Sequence, residues 1–417
     1  MRQVNKLASA LLLSLTASAL VVPMAQAADK CPMDQRQARA VGESVGKKVQ
    51  KSFEAYTDGK LDEAIAILLE ANAKGDFDKA YVARMLGNFY AEKSQMGTAV
   101  KYLKQAVDAD VLGGTDHAAT MKLYADLLIQ DKKWKEAIAM YYKWMEFACK
   151  QDDPVVYRRI GIAYSELKQW DKVIEVADKG LSHAKEPDKN LYQMKLTAYF
   201  EKKQYKNAVK VLETMIPLFQ DDKRLWIQLA QFYLLTEDFP RSLQTYDLCY
   251  RNGFLKDDGS NLVRYAQLSA SQGAPYRAAT VMEKHMKSGV IESNAKNFEQ
   301  LADFFLNAKE VDKSAEYYGK AAEEKKDGKL FLKQGRMLSL AEKYSTAIPV
   351  LEKALNAGVE HAGEVQFELA LAHLHLKQYK SAHRYAKLAA QDKKTERSAK
   401  SYVAYIEEKA RINNVTL

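Results

Sequence analysis

A small residue followed twelve positions later by another recurs at a near-constant interval, and no other feature narrows the possible folds as much. Over Ala83 to Asp108 the two are Gly87 and Ala99, with Leu86, Tyr90, Met96, Leu103 and Ala106 around them. The apolar spacing in each half follows the 3.6-residue helical period, so the stretch reads as two short amphipathic helices joined by a tight turn. The small residues let the two backbones approach closely. Anchoring a register on the first small residue gives Ser52, Gly87, Ala125, Gly161, Leu196, Ala230, Ala266, Ala302, Gly335 and Ala370, separated by 33 to 38 residues. Twelve later stand Ala64, Ala99, Ala137, Val173, Ala208, Ser242, Ala278, Ser314, Ala347 and Ala382, with Val173 the least small. Self-similarity at this period predicts stacked helix pairs, none of which covers its own apolar face alone.

Other positions keep the same register. A large residue stands four before the anchor at Met121, Tyr157, Tyr192, Trp226, Leu262, Phe298 and Phe331. The second helix opens on Met96, Trp134, Trp170, Tyr205, Phe239, Val311, Tyr344 and Tyr379. Most of the 24 tyrosines thus read as wedges between helices, with their hydroxyls at the rim. Asp153-Pro154 and Pro187-Asp188 are helix starts, whereas Gly113-Gly114 and Lys256 to Gly259 are longer turns. The expected plan is an export signal over 1–27 and a leader with the start of a cap helix over 28–44. An array of about ten repeats over 45–390 follows, then a C-terminal capping helix over 395–413. Gln35 to Tyr56 reads as the N-terminal cap helix and Glu396 to Ile412 as the C-terminal one.

The signal rests on Arg2 and Lys6, the apolar or small run Leu7 to Val22, and a small-x-small site at Ala25-Gln26-Ala27. It predicts a periplasmic protein whose mature chain starts at Ala28. The formal charge is +9, and about +7 without Arg2 and Lys6. The lysines are scattered, with acids three or four positions away, as on solvated helix faces. That argues against nucleic acid and leaves a mild bias toward anionic partners, including peripheral contact with envelope complexes. Cys31, Cys149 and Cys249 are too few for a disulfide scaffold and lack metal-ligand spacing. Cys149 and Cys249 read as buried small hydrophobes too far apart to join. Cys31 falls in a flexible leader and is available to pair between molecules.

Leu86-Gly87, Tyr90 and Ala99, with their counterparts, resemble the tetratricopeptide repeat (TPR) pattern over about residues 45 to 390. The resemblance implies an all-α solenoid, a right-handed superhelix of about ten helix-turn-helix repeats, whose first helices line a groove for a peptide or protein. Leu196 departs from the family's preference for Gly or Ala, which implies either a local splay or a neighbour trimmed to make room. A narrower resemblance, in signal, divergent repeats and length, is to exported TPR proteins that accompany TonB–ExbB–ExbD systems in gammaproteobacteria. It implies a role in iron or siderophore uptake and a component of such a complex as partner.

The TPR pattern places groove-facing side chains three before, one after and four after each anchor. Applied here it selects Arg84 and Asn88, Lys122 and Asp126, Arg158, Gln193 and Phe200, and Gln231 and Leu234. Arg84, Lys122 and Arg158 then form a cationic wall suited to a carboxylate or acidic peptide, with Phe200 and Leu234 available to an apolar side chain. Arg84 and Asn88 resemble the opening of the family's carboxylate clamp, but Asp126 is an acid where the clamp needs an amide. His361, His373, His375 and His383 cluster without chelating spacing, and no nucleophile elbow, nucleotide loop or metal motif is present. The expectation is a scaffold with no cofactor and no metal rather than an enzyme. A structural or assembly factor of the cell envelope is the alternative.

Overall fold

The computed structural model describes residues 31–417; the expected export segment and its cleavage site lie outside the described residues. Every regular element described is an α-helix, and the chain divides into two compact units, one ending at Lys185 and one starting at Glu186. The first holds α1 (Pro32–Gln35), α2 (Glu43–Thr57), α3 (Leu61–Leu69), α4 (Asp76–Glu92), α5 (Met96–Asp108), α6 (Gly114–Gln130), α7 (Trp134–Phe147), α8 (Pro154–Glu166) and α9 (Trp170–His183). The second opens with α10 (Lys189–Glu201), α11 (Tyr205–Leu218), α12 (Lys223–Leu235), α13 (Phe239–Arg251), α14 (Gly259–Ser271) and α15 (Pro275–Lys287). It continues with α16 (Ala295–Asn307), α17 (Val311–Lys325), α18 (Gly328–Leu340), α19 (Tyr344–Ala357), α20 (Ala362–His375), α21 (Tyr379–Ala389) and α22 (Glu396–Ile412).

The even-numbered helices from α2 to α20 carry the ten anchors, and each following helix carries the residue twelve later. All these positions are buried. Where the small residue is polar, its hydroxyl bonds across the pair: Ser52 donates to the Ala64 carbonyl at 2.8 Å and Ser242 to the Ala230 carbonyl at 2.7 Å. Asp153 and Asp188 cap α8 and α10 through their first free backbone N–H groups. Within a unit the first helices of neighbouring pairs touch, α6 with α8, α18 with α20, and α20 with α22, so they share one face.

One turn explains why the spacing of twelve never varies. Seven residues after each anchor the chain adopts a left-handed conformation, at Gly59, Ser94, Lys132, Lys168, Lys203, Glu237, Gly273, Lys309, Glu342 and Lys377. The next N–H reaches back to the carbonyl three after the anchor, as in Gln95 to Tyr90 at 2.8 Å and Glu310 to Phe305 at 2.9 Å. This closes the first helix with a Schellman-type cap. Glycine is the residue that adopts this conformation without a Cβ penalty, yet lysine dominates. A cation here lies at the negative end of the helix dipole, which offsets part of the strain. Lys309→Gly is therefore expected to raise stability by about 0.5–1 kcal/mol, read as a shift in urea midpoint at constant slope.

Tyrosine behaves differently from the expectation. Tyr141, Tyr246 and Tyr265 are buried rather than tipped into solvent. Their hydroxyls donate to Asp126, to Asn261 at 3.0 Å and to Asp247 at 2.7 Å. A buried hydroxyl needs an acceptor, and polar residues of the adjoining helices supply it.

Candidate partner-binding surface

In the first unit Arg84, Lys122 and Arg158 stand on α4, α6 and α8, and the charges of the first two are already matched. The Arg84 guanidinium lies 2.7 Å from the Asp116 carboxylate at the start of α6 and 5.3 Å from the Tyr81 ring. Lys122 lies 3.2 Å from Asp153, the cap of α8, and 4.7 Å from the Trp144 ring. Arg158 is half-buried and Asn88 exposed. Asp126 accepts from the Tyr141 hydroxyl and pairs with Arg159 at 3.1 Å. Burial and then Asp126 hold that hydroxyl far above its usual pKa, so it remains a donor. Asp126 thus serves the packing of its own repeat. Each ion pair joins a first helix to the next one, and together they form a ladder between repeats.

The second unit repeats the ladder and adds an apolar element. Gln193 is exposed on α10, and Phe200 is 45% exposed with its ring 5.8 Å from Phe232 and 5.9 Å from Tyr205. Gln231 donates to Asn261 at 3.0 Å, and Leu234 packs half-buried against the core. Lys189 pairs with Asp222, the cap of α12, and Arg336 reaches Glu364 and Glu368 at 2.8 Å each.

Asp222 makes the ladder pH-dependent. Burial pushes its carboxyl up, but Arg224, Lys189 and the Arg224 backbone N–H outweigh this and bring it down to about 2. A depressed carboxylate contributes stability that is complete above its unfolded pKa and is lost as pH falls through the folded one. The start of the second unit is thus expected to lose up to about 2 kcal/mol between about pH 4 and pH 2. Asp222→Asn keeps an acceptor for the cap and should flatten this part of an acid titration followed by circular dichroism.

The segment before α2 was invisible to periodicity. Cys31 is bonded to Cys149, 118 residues away, with a Cα separation of 5.8 Å. Cys31 therefore neither lies in a loose leader nor pairs between molecules. Cys149 is exposed in a left-handed turn rather than buried. Cys249 is the free, buried cysteine, its thiol pushed up to about 12 by burial. No helix runs from Gln35: α1 ends there and residues 36–42 cross to α2 as a strap. Arg36 pairs with Asp110 at 2.7 Å and lies 4.8 Å from the Phe147 ring. The Gly114 N–H donates to the Arg36 carbonyl at 3.1 Å, and a Cβ on Gly114 would stand 1.8 Å from the Met33 carbonyl oxygen. Gly113-Gly114 is thus the seat of the strap as well as a turn.

The histidines do not converge. His375 stacks on Tyr344 at 4.3 Å, His373 stacks on Tyr385, and His383 meets Glu407 at 2.8 Å. Among the described residues no group of three or more His, Cys, Asp or Glu side chains is placed to hold a metal ion. No described helix is long and apolar enough to cross a membrane. Many ionisable groups among the described residues are paired along helix faces.

A tetratricopeptide repeat family model matches residues 332–401, from α18 to the start of α22. No match to a curated protein was found. Similar solved structures include a tetratricopeptide repeat protein from Parabacteroides merdae, at 15% identity over 68% of this chain and 94% of that one, TM-score 0.37. MamA from Desulfovibrio magneticus is 19% identical over 44% of this chain and 99% of its own, TM-score 0.36. A structure of Naa15/Naa10 bound to HypK-THB is 15% identical over 81% of this chain and 52% of that one, TM-score 0.47. These likenesses carry no argument about function. With ten helix pairs in one register and the family signature matched over 332–401, the described residues form an all-α, solenoid-like fold consistent with tetratricopeptide-type repeats.

Proposed function

We propose that this chain is an exported scaffold that holds a protein or peptide against the exposed faces of its first helices. The observation that carries the reading is Phe200, an aromatic ring left 45% exposed beside the Tyr205–Phe232 pair. A partly uncovered ring in a firm aromatic setting is the kind of anchor on which binding energy concentrates. Arg84 and Lys122, already matched by acids, recognise a partner carboxylate only by exchanging one ion pair for another. They therefore tune selectivity more than affinity.

Export to the periplasm is supported by the signal-like start of the sequence and by the Cys31–Cys149 bond, since disulfides persist in oxidising compartments. Within that compartment we place the protein as an accessory of a TonB-type energy-transducing complex, on the resemblance in signal, repeats and length. Arg84→Glu with Arg158→Glu should keep the helical spectrum and weaken partner capture from periplasm, and Phe200→Ala should weaken it by about tenfold or more. Capture unchanged by all three substitutions sinks the first-helix reading. Fractionation checks the compartment, and unchanged growth of a deletion strain on a TonB-dependent iron source removes the transport role.

A further inference from the structure

The last helix pair of the second unit ends in a surface unlike the ion-paired walls. Its groove-facing positions, set by Ala370, are Phe367, Leu371 and Leu374. The corresponding residues on α4 are Arg84, Asn88 and Ala91. Only the first repeat, with Val49, Phe53 and Tyr56, is as apolar at these positions. At the last repeat α22 buries Ala399, Ile406 and Ala410 and leaves Tyr402 37% and Tyr405 48% exposed. Between α20 and α22 lies a pocket of about 620 Å³ whose walls include Leu371, Leu374, Tyr402 and Tyr405, with Lys377 and Lys409 at its edge. The rings are braced, Phe367 edge-on to Tyr402 at 5.2 Å and Tyr402 edge-on to Tyr405 at 6.1 Å.

The electrostatics of this pocket run against the rest of the chain. Arg84, Lys122, Lys189 and Arg336 are each matched by an acid from the next repeat. No carboxylate lines the pocket, and among the described residues neither Lys377 nor Lys409 is in an ion pair. Lys409 lies 5.4 Å from the Tyr405 ring, so an aromatic wall and a cation are presented together. Apolar volume selects a bulky side chain, and two uncompensated cations select negative charge beside it.

We propose that this pocket anchors a peptide segment in which a bulky aromatic or aliphatic side chain stands next to a carboxylate. The inference rests on the reading of the first helices as the partner-binding face. The apolar side chain fills the space between Leu374 and Tyr405, and the carboxylate, from a chain end or an acidic side chain, meets the lysines at the rim.

The test uses the full oxidised chain and a fluorescein-labelled peptide, Gly-Ser-Asp-Ser-Asp-Phe with a free carboxyl end, followed by anisotropy. Saturable binding is expected, weakened about tenfold or more when the phenylalanine is replaced by serine. Amidation of the end and replacement of the aspartates by asparagine separate the two carboxylate sources; at least one should weaken binding by about threefold, with a matching salt dependence. On the protein, Tyr405→Ala and Lys409→Glu should each weaken binding by about fivefold or more with circular dichroism unchanged. Lys409 is half-buried but outside the buried residues of α22, so that variant tests the site even where the tyrosine change disturbs the helix. No saturation up to about 1 mM peptide overturns the proposal, as does equal binding of the serine form or indifference to both substitutions. Peptide binding lost in Phe200→Ala but kept in Tyr405→Ala overturns it while leaving the first-helix reading in place. Tyr405-dependent peptide binding with partner capture unchanged by Arg84→Glu, Arg158→Glu and Phe200→Ala supports the pocket and rejects the other surface.

Discussion

Cys149→Ser is expected to lower the stability of the first unit by about 2–4 kcal/mol, and reduction of the wild-type chain should do the same. The argument is one of chain statistics. The Cys31–Cys149 bond closes a loop across 118 residues, and a cross-link that long removes much of the freedom of the unfolded chain. Strap contacts set which part of that loss appears locally. Arg36 keeps its 2.7 Å pair with Asp110, and Met33 keeps its packing against the apolar core of the first unit, so the strap is not held by the sulfurs alone. A double variant, Cys31→Ser with Cys149→Ser, should cost no more than either single variant, because the same bond is lost once. Additive costs would mean that the side chains matter individually and that the cross-link does not. Hydrogen exchange locates the effect: protection should fall in α1 to α7 and stay constant in α14 to α19.

The legible part of this fold is the part that repeats. Small residues such as Gly87 and Ala347 stand at fixed offsets because two helices meet there in every pair, so ten weak signals reinforce one another. The left-handed turn was hidden for a chemical reason. Its usual marker is glycine, but Lys132, Lys168, Lys203, Lys309 and Lys377 occupy it and read as ordinary surface lysines. The strap was hidden for a topological one: Arg36 meets Asp110 and Cys31 meets Cys149 across distances in sequence that no local period spans. The candidate groove residues stand on first helices, yet the partners of their cations were missed. Asp116 lies 32 residues beyond Arg84 and Asp153 lies 31 beyond Lys122. Searching each groove cation for an acid slightly less than one repeat ahead would have shown that Arg84 and Lys122 are neutralised.

Gly87→Leu is expected to cost the first unit about 1–3 kcal/mol, and the cause differs from the pairing that first drew attention to the position. Gly87 and Ala99 share a register, but the side chain that occupies the space beside Gly87 is Leu103. A Cβ built on Gly87 would stand 2.5 Å from Leu103 Cδ2 and 3.2 Å from the Leu103 backbone nitrogen. Gly335 meets Leu351 in the same way, at 2.4 Å. Two opposing terms decide the outcome. Removing glycine from a helix interior gains about 1 kcal/mol of propensity, while overpacking a filled core costs about 1–3 kcal/mol and more when backbone must move. Gly87→Ala therefore comes out near neutral to mildly destabilising, and Gly87→Leu clearly destabilising because its branch has nowhere to go. Leu103, fully buried, should cost about 2–5 kcal/mol when truncated to alanine. If Leu103 is the residue that fills the glycine's space, Gly87→Leu with Leu103→Ala should recover at least about 1 kcal/mol relative to the sum of the single changes. Strict additivity in urea unfolding would show that the two side chains do not compete for one volume, and would return the close contact to the helix backbones themselves.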